Sequence, residues 1–162
     1  MDELDFRFNI IGITETRIEN EYANLDFFLI TTLNVSTPLS AGGVGMYIDE
    51  ELKYTVVEKC PNEAFQALWI EIYLQKNRNI ICGVAYRQHN SPERFQEYLD
   101  EIIEKFSASG KQIFLMGDTN LNLLRFYNCK HVQNLILSLQ SLNLTPTFLI
   151  QQDYILQLIL TY

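Results

Sequence analysis

Apolar and polar positions alternate or cluster along the first half of the chain in a way that predicts strands. The segment "NIIGITET" (9–16) is rich in β-branched residues and ends in polar ones, and "VGMYID" (44–49) follows a pair of glycines. The segment "ALWIEIYL" (67–74) alternates and reads as a half-buried strand with Trp69 in the core, while "IICGVAYR" (80–87) is almost continuously apolar. A helical period follows. Ser91 is placed to cap it, Pro92 stands at the first helical position, and Phe95, Leu99, Ile102, Ile103 and Phe106 recur at three-to-four spacing, with Gly110 fitting the end. "IFLMG" (113–117) then reads as a buried strand, and residues 129–142 as a second helix with Val132, Leu135, Ile136 and Leu139 on one side. The closing "YILQLILTY" reads as a core strand, whole or interrupted. Strand, helix, strand, helix in this order predicts an α/β arrangement in which helices cover sheet.

With 162 residues the chain has the length of one domain with a real core, so residues 1–162 are taken as a single unit. Nearly half of the residues are hydrophobic, and ten Phe and nine Tyr argue against disorder. The formal charge of -8 disfavours a protein that grips a polyanion by counterion release alone. Contact with nucleic acid would need a local basic patch or an acid-bound cation. Cys60, Cys82 and Cys129 are odd in number and lack metal-site spacing, which fits a reducing, intracellular compartment. No apolar run is long enough to cross a bilayer, so no membrane partner is expected.

Three predicted strands end in groups of catalytic type. Glu15 follows "NIIGIT", Tyr86 follows "IICGVA", and Asp118 and Asn120 follow "IFLMG". Any one of these has a plain structural explanation, since Gly, Asp and Asn favour turns and a strand end is solvated. Three together make an oxygen-rich set, and strand ends in layered α/β proteins are where ligands collect. Carboxylates with an amide and a phenol, and without paired thiols, suit a hard cation such as Mg²⁺, with Mn²⁺ as the alternative. Such a cation polarises a phosphoryl oxygen.

The segments "IIGITETRI", "GGVGMYI", "LWIEI", "ICGVAYRQHNSPERFQEYLDEII", "IFLMGDTNLNLL" and "LTPT" together resemble the endonuclease/exonuclease/phosphatase domain of non-LTR retrotransposons, of the jockey-like type. This apurinic-type endonuclease precedes the reverse transcriptase in such elements. The resemblance extends over nearly all of the chain and is most specific at the ET pair and at GDTN, where Thr119 takes a usually aromatic position. It implies two β-sheets packed face to face with helices outside, a four-layer sandwich, and a metal-dependent phosphodiesterase that nicks DNA, with a nuclear site of action. By the same resemblance Glu15 matches the metal-binding glutamate, Tyr86 the tyrosine that contacts the scissile phosphate, Asp118 the acid that orients or deprotonates the attacking water, and Asn120 the amide that holds the phosphate. Gln88 replaces the proline of the family's tyrosine segment.

The departures from the family's pattern lead to further expectations. The family's first strand, which bears an asparagine, has no counterpart before Asn9, and its closing serine, aspartate and histidine are not reached, so the domain is expected to be incomplete at both ends. Gln157 and Leu158 stand where relatives carry an aspartate and a histidine. Weak or absent turnover is therefore expected, with self-association through exposed sheet edges as a consequence of lost strands. His89 and His131 read as surface or capping residues. Gly42 and Gly43 read as the turn into the next strand. Arg17, Arg87 and Arg125 divide between phosphate contact and simple solvation. Two other readings stay open: a non-catalytic remnant that binds a cation or a partner, and a phosphoinositide phosphatase or sphingomyelinase-like member of the same superfamily.

Overall fold

The computed structural model describes residues 8–16, 28–33, 42–88, 92–121, 125–142, 144–147 and 156–160. Among the described residues nine strands and two α-helices follow one another, with the anticipated elements in the anticipated order and strands added to them. Strands β1 (Ile10–Thr14), β2 (Phe28–Leu33) and β3 (Val44–Asp49) form an antiparallel sheet in the order β1-β3-β2. Strands β4 (Lys53–Pro61), β5 (Phe65–Tyr73), β6 (Ile80–Arg87) and β7 (Gln112–Asp118) lead into helix α2 (Lys130–Ser141), followed by β8 (Leu144–Thr147) and β9 (Leu156–Leu160). Helix α1 (Pro92–Ser107) connects β6 to β7, the parallel pair in a six-stranded sheet of order β4-β5-β6-β7-β9-β8.

Two cores sit on the two faces of the larger sheet. Val44, Met46 and Ile48 of β3 meet Leu68, Ile70 and Ile72 of β5 and Cys82, Val84 and Tyr86 of β6, which seals the sheets together. On the other face Phe65, Ala67 and Trp69 of β5, with Ile81 and Ala85 of β6, pack under Phe95, Leu99, Ile102, Ile103 and Phe106 of α1 and Val132, Leu135, Ile136 and Leu139 of α2. The helices' apolar stripes were read correctly from their spacing. Gly110 ends α1 with a positive φ of 67°, and the expected cap Ser91 lies outside the described residues.

The half-buried reading of β5 is corrected. Phe65 through Ile70 are all buried, because alternate side chains enter different cores rather than core and solvent. Trp69 is indeed core, and its Nε1 donates to Tyr98 Oη at 2.9 Å. The two sheets packed face to face are as expected. Among the described residues both helices lie on the larger sheet, giving three layers.

Gly12 explains how β1 reaches the second sheet. A Cβ there would stand 3.2 Å from both Met116 Cβ and Val84 Cγ2, so the missing side chain lets the backbone of β1 lie close over β6 and β7. This close approach brings the end of β1 to the ends of β6 and β7. The edge strand β4 carries Lys53, Lys59 and Pro61 and a register shift between Val56 and Glu58, features that disfavour pairing with another chain.

Candidate functional site

The parallel ladder between β6 and β7 ends at the pair Tyr86 and Asp118, and on the other side Tyr86 pairs with Gln66 of β5. Paired residues share a face, so Gln66, Tyr86 and Asp118 form a row across three strands on the face toward the smaller sheet. Above this row ends β1. Glu15, which follows β1, accepts a hydrogen bond from Tyr86 Oη at 2.9 Å. The two residues are 71 positions apart in sequence.

Asp118 and Asn120 are joined within one turn. Asn120 N–H donates to Asp118 Oδ1 at 2.7 Å, and Asn120 Nδ2 donates to Arg87 O at 2.6 Å. Asn120 has a φ of 49° and Glu15 a φ of 53°, both in the left-handed region that non-glycine residues rarely occupy. For Asn this conformation is common; for Glu it costs about 1 to 2 kcal/mol, held in place by surrounding contacts. Gly117, with a φ of 130°, precedes them. A Cβ on Gly117 would lie 1.9 Å from Ala85 O, so the glycine of GDTN is required by the approach of β6.

Tyr86 is only 5 % exposed. Burial, then the hydrogen bond to Glu15, then the charges of Glu15 and Asp118 push its phenol up to about 12, against a smaller opposite pull from a hydrogen bond with Asn120. The hydroxyl therefore keeps its proton at neutral pH and serves as a donor. It presents no added negative charge to an anionic ligand.

Two polar residues of the site have roles that the sequence reading did not assign. Gln66 is buried, and its Oε1 accepts from Gly43 N–H, while Gly43 O accepts from Thr16 N–H at 3.3 Å. The glycine pair does lead directly into β3, with φ values of 124° and 98°. Gln66 thus anchors the segment that flanks Glu15. The signal was present in the alternation, because Gln66 falls on the same strand face as Leu68, Ile70 and Ile72.

Arg87 is the second. It was divided between phosphate contact and solvation, and the structure shows neither, since it is 1 % exposed and its donors engage the main chain. It lies on the face of β6 opposite Tyr86, continuing the row of Ile81 and Ala85 beneath the sheet. Arg125 is exposed, and His131 is exposed near the start of α2. Arg17 and His89 lie outside the described residues. In β9, Gln157 pairs with Met116 and Leu158 with Leu115, next to the strand that carries Asp118.

No protein-family model matches the chain, and no curated protein matches it. Among solved structures it is similar to the endonuclease domain of TRAS1, a telomere-specific non-LTR retrotransposon, with a TM-score of 0.59 and 13 % identity, over 81 % of this chain and 67 % of that one. It is also similar to an endonuclease/exonuclease/phosphatase family protein from Bacteroides thetaiotaomicron, with a TM-score of 0.56 and 10 % identity, over 83 % of this chain and 60 % of that one. The fold is the endonuclease/exonuclease/phosphatase fold. At these identities the likeness concerns architecture, and the chain spans about two thirds or less of each neighbour's length.

Within this endonuclease/exonuclease/phosphatase fold, the residues present fit a hard divalent cation by donor chemistry. Glu15 and Asp118 supply carboxylates, and among the described residues the buried Thr16 hydroxyl beside Glu15 has no hydrogen-bond partner. Among the described residues there is no group of three or more His, Cys, Asp or Glu side chains able to form a complete protein cage. That is compatible with Mg²⁺, which is held by one or two carboxylates and keeps several waters. Cys60, Cys82 and Cys129 are free thiols, and burial pushes Cys82 up to about 12, away from metal-ligating thiolate chemistry. Among the described residues no helix is long and apolar enough to cross a membrane.

Proposed function

We propose that the chain is a divalent-metal-dependent phosphodiesterase domain of low turnover, of the type that nicks DNA for a non-LTR retrotransposon. The observation that carries this reading is the meeting of Glu15 and Tyr86, linked at 2.9 Å, at the same strand-end row as Asp118 and Asn120. The similarity in fold to the TRAS1 endonuclease domain supports it. DNA is the proposed partner and the nucleus the proposed site of action.

Glu15 would hold Mg²⁺ or Mn²⁺, which supplies Lewis-acid neutralisation of the phosphate's negative charge. That contribution matters in a chain of formal charge -8, where carboxylates alone would repel a phosphodiester. Asp118 accepts the proton of the attacking water and orients it for in-line attack. Tyr86, protonated at neutral pH, orients the Glu15 carboxylate by donating its single hydroxyl proton to it, and adds no negative charge beside the phosphate. Asn120 fixes the turn that aims Asp118 and holds the phosphate beside it.

Low turnover follows from Gln157, which occupies the β9 position beside this site where the resemblance puts an acid. An amide can hydrogen-bond but cannot take up a proton there. Supercoiled-plasmid nicking with Mg²⁺ tests the proposal, run beside Asp118→Ala and an EDTA control. Slow nicking that vanishes in both controls is the expected result. No nicking by folded protein would overturn it and leave a non-catalytic binding module.

A further inference from the structure

The Asp118–Asn120 turn leaves β7 at the last ladder pair, Tyr86 with Asp118, and then takes up a left-handed residue at Asn120. Strand pairing therefore ends just where the catalytic groups begin. A turn in that conformation keeps its geometry only when other contacts determine it.

Beneath it lies a guanidinium. Arg87 Nε donates to Thr119 O, Nη2 donates to Asn120 O at 2.8 Å, and Nη1 donates to Gln88 O at 2.9 Å. Asn120 Nδ2 returns a bond to Arg87 O at 2.6 Å, so residues 87 and 120 hold each other through both backbone and side chain. We propose that Arg87 is a positioning residue that clamps the Asp118–Asn120 turn from the helix side of the sheet and so sets the aim of the Asp118 carboxylate and the Asn120 amide. The proposal rests on the phosphodiesterase reading for its catalytic part.

The chemistry of the fork supports the assignment. Three donors diverge in one plane toward three separate carbonyls, a geometry a lysine ammonium on a flexible stem does not reproduce. Ion pairing with a surface acid would have left the turn unbraced, whereas main-chain carbonyls of residues 119 and 120 are parts of the turn itself. Burial lowers the guanidinium from its ordinary value, and the charge of Asp118 acts against that shift, so the clamp and the carboxylate also favour each other electrostatically.

The test is Arg87→Lys, read in two ways. Per-residue amide hydrogen exchange compares Thr119 and Asn120 with Val84 and Leu115 in the sheet interior. The clamp predicts exchange at the two turn amides at least about tenfold faster while the interior amides keep their rates. Metal-supported hydrolysis of bis(p-nitrophenyl) phosphate should lose about 10²-fold in kcat/KM, with the larger part of the loss in kcat, the signature of misaimed groups. Exchange that is unchanged at Asn120, or that rises equally at Val84 and Leu115, would overturn the proposal in favour of a general structural role.

Asp118→Asn run in parallel separates the two claims. If it leaves hydrolysis unaffected, the phosphodiesterase reading fails, while the exchange experiment still decides the clamp. If Arg87→Lys does not fold, the Nε–H of Arg87 is followed in the unaltered protein. A strongly protected Nε–H supports the clamp, and one that exchanges as fast as a solvated arginine contradicts it.

Discussion

The parallel pair β6 and β7 has two ends, and they treat acids in opposite ways. At the end where Ile80 meets Gln112, Glu71 accepts from Lys111 Nζ and from Asn79 Nδ2, each at 2.7 Å. The ammonium bond, ahead of the other causes, holds the Glu71 carboxyl below its ordinary value. At the end where Tyr86 meets Asp118, Glu15 accepts from a phenol and Asp118 from a main-chain N–H, and the buried guanidinium below turns its donors to carbonyls. One end completes its carboxylate with a cation of the protein. The other sets the Glu15 and Asp118 carboxylates beside a phenol and a main-chain N–H, at the end where the metal-dependent site is proposed.

The largest expected effect comes from removing the acid at the second end. Asp118→Asn keeps the size of the side chain and should lower metal-supported phosphodiester cleavage by about 10² to 10⁴-fold, the range for loss of a general base. A parallel urea titration should show little change in folding, and a cleavage rate within twofold of the unaltered chain would break the distinction between the ends.

Next is Gly117→Ala. The new methyl would meet Ala85 O at 1.9 Å in a residue with a φ of 130°. A loss on the order of 3 kcal/mol in the urea unfolding free energy is expected. A loss below about 0.5 kcal/mol would mean that the turn relaxes easily.

Gln66→Leu comes third. It leaves Gly43 N–H without its buried acceptor, at a cost of about 1 to 3 kcal/mol, and should loosen the segment that carries Glu15. Amide exchange at Thr16 and Gly43 checks this, since both should speed up more than the interior of β5.

The smallest effect is expected at the first end. Lys111→Met removes a pair whose side chains are 30 % and 14 % exposed, and should cost no more than about 1 kcal/mol with no change in cleavage. Its pH dependence is more telling. A carboxyl whose folded value lies below 4.5 contributes stability above that pH and loses it as pH falls through the folded value. Unfolding midpoints measured from pH 6 downwards should therefore fall less steeply for Lys111→Met than for the unaltered chain. Equal slopes would remove Lys111 as the cause.

Much of this architecture is legible in the sequence, and the parts that are not share a physical reason. Helices α1 and α2 follow from apolar stripes of helical period, and strands β3 and β6 from short, nearly continuous apolar runs. Strand β4, with Lys53, Glu58 and Lys59 along an exposed edge, carries a weaker pattern and was missed, as was β2 with its two threonines. At the site, Glu15, Tyr86, Asp118 and Asn120 stand out because each interrupts an apolar run at its end. Arg87 was not legible, and Gln66 was signalled only by its place on the face of Leu68, Ile70 and Ile72, because a polar residue in a strand looks solvated until the opposite layer is known. Only the packing of α1 and α2 on one face, and of β3 on the other, shows that both are buried.

The most direct test of the contrast between the two ends is a Mn²⁺ titration followed by amide NMR, since it needs no turnover. Selective broadening of the amides of Thr16, Gly43, Asp118 and Asn120 at low Mn²⁺, with those of Asn79, Ile80 and Lys111 unaffected, is the predicted result. Broadening centred on Glu71, or equal at both ends, would contradict the assignment of the Glu15 and Asp118 end as the metal-dependent site.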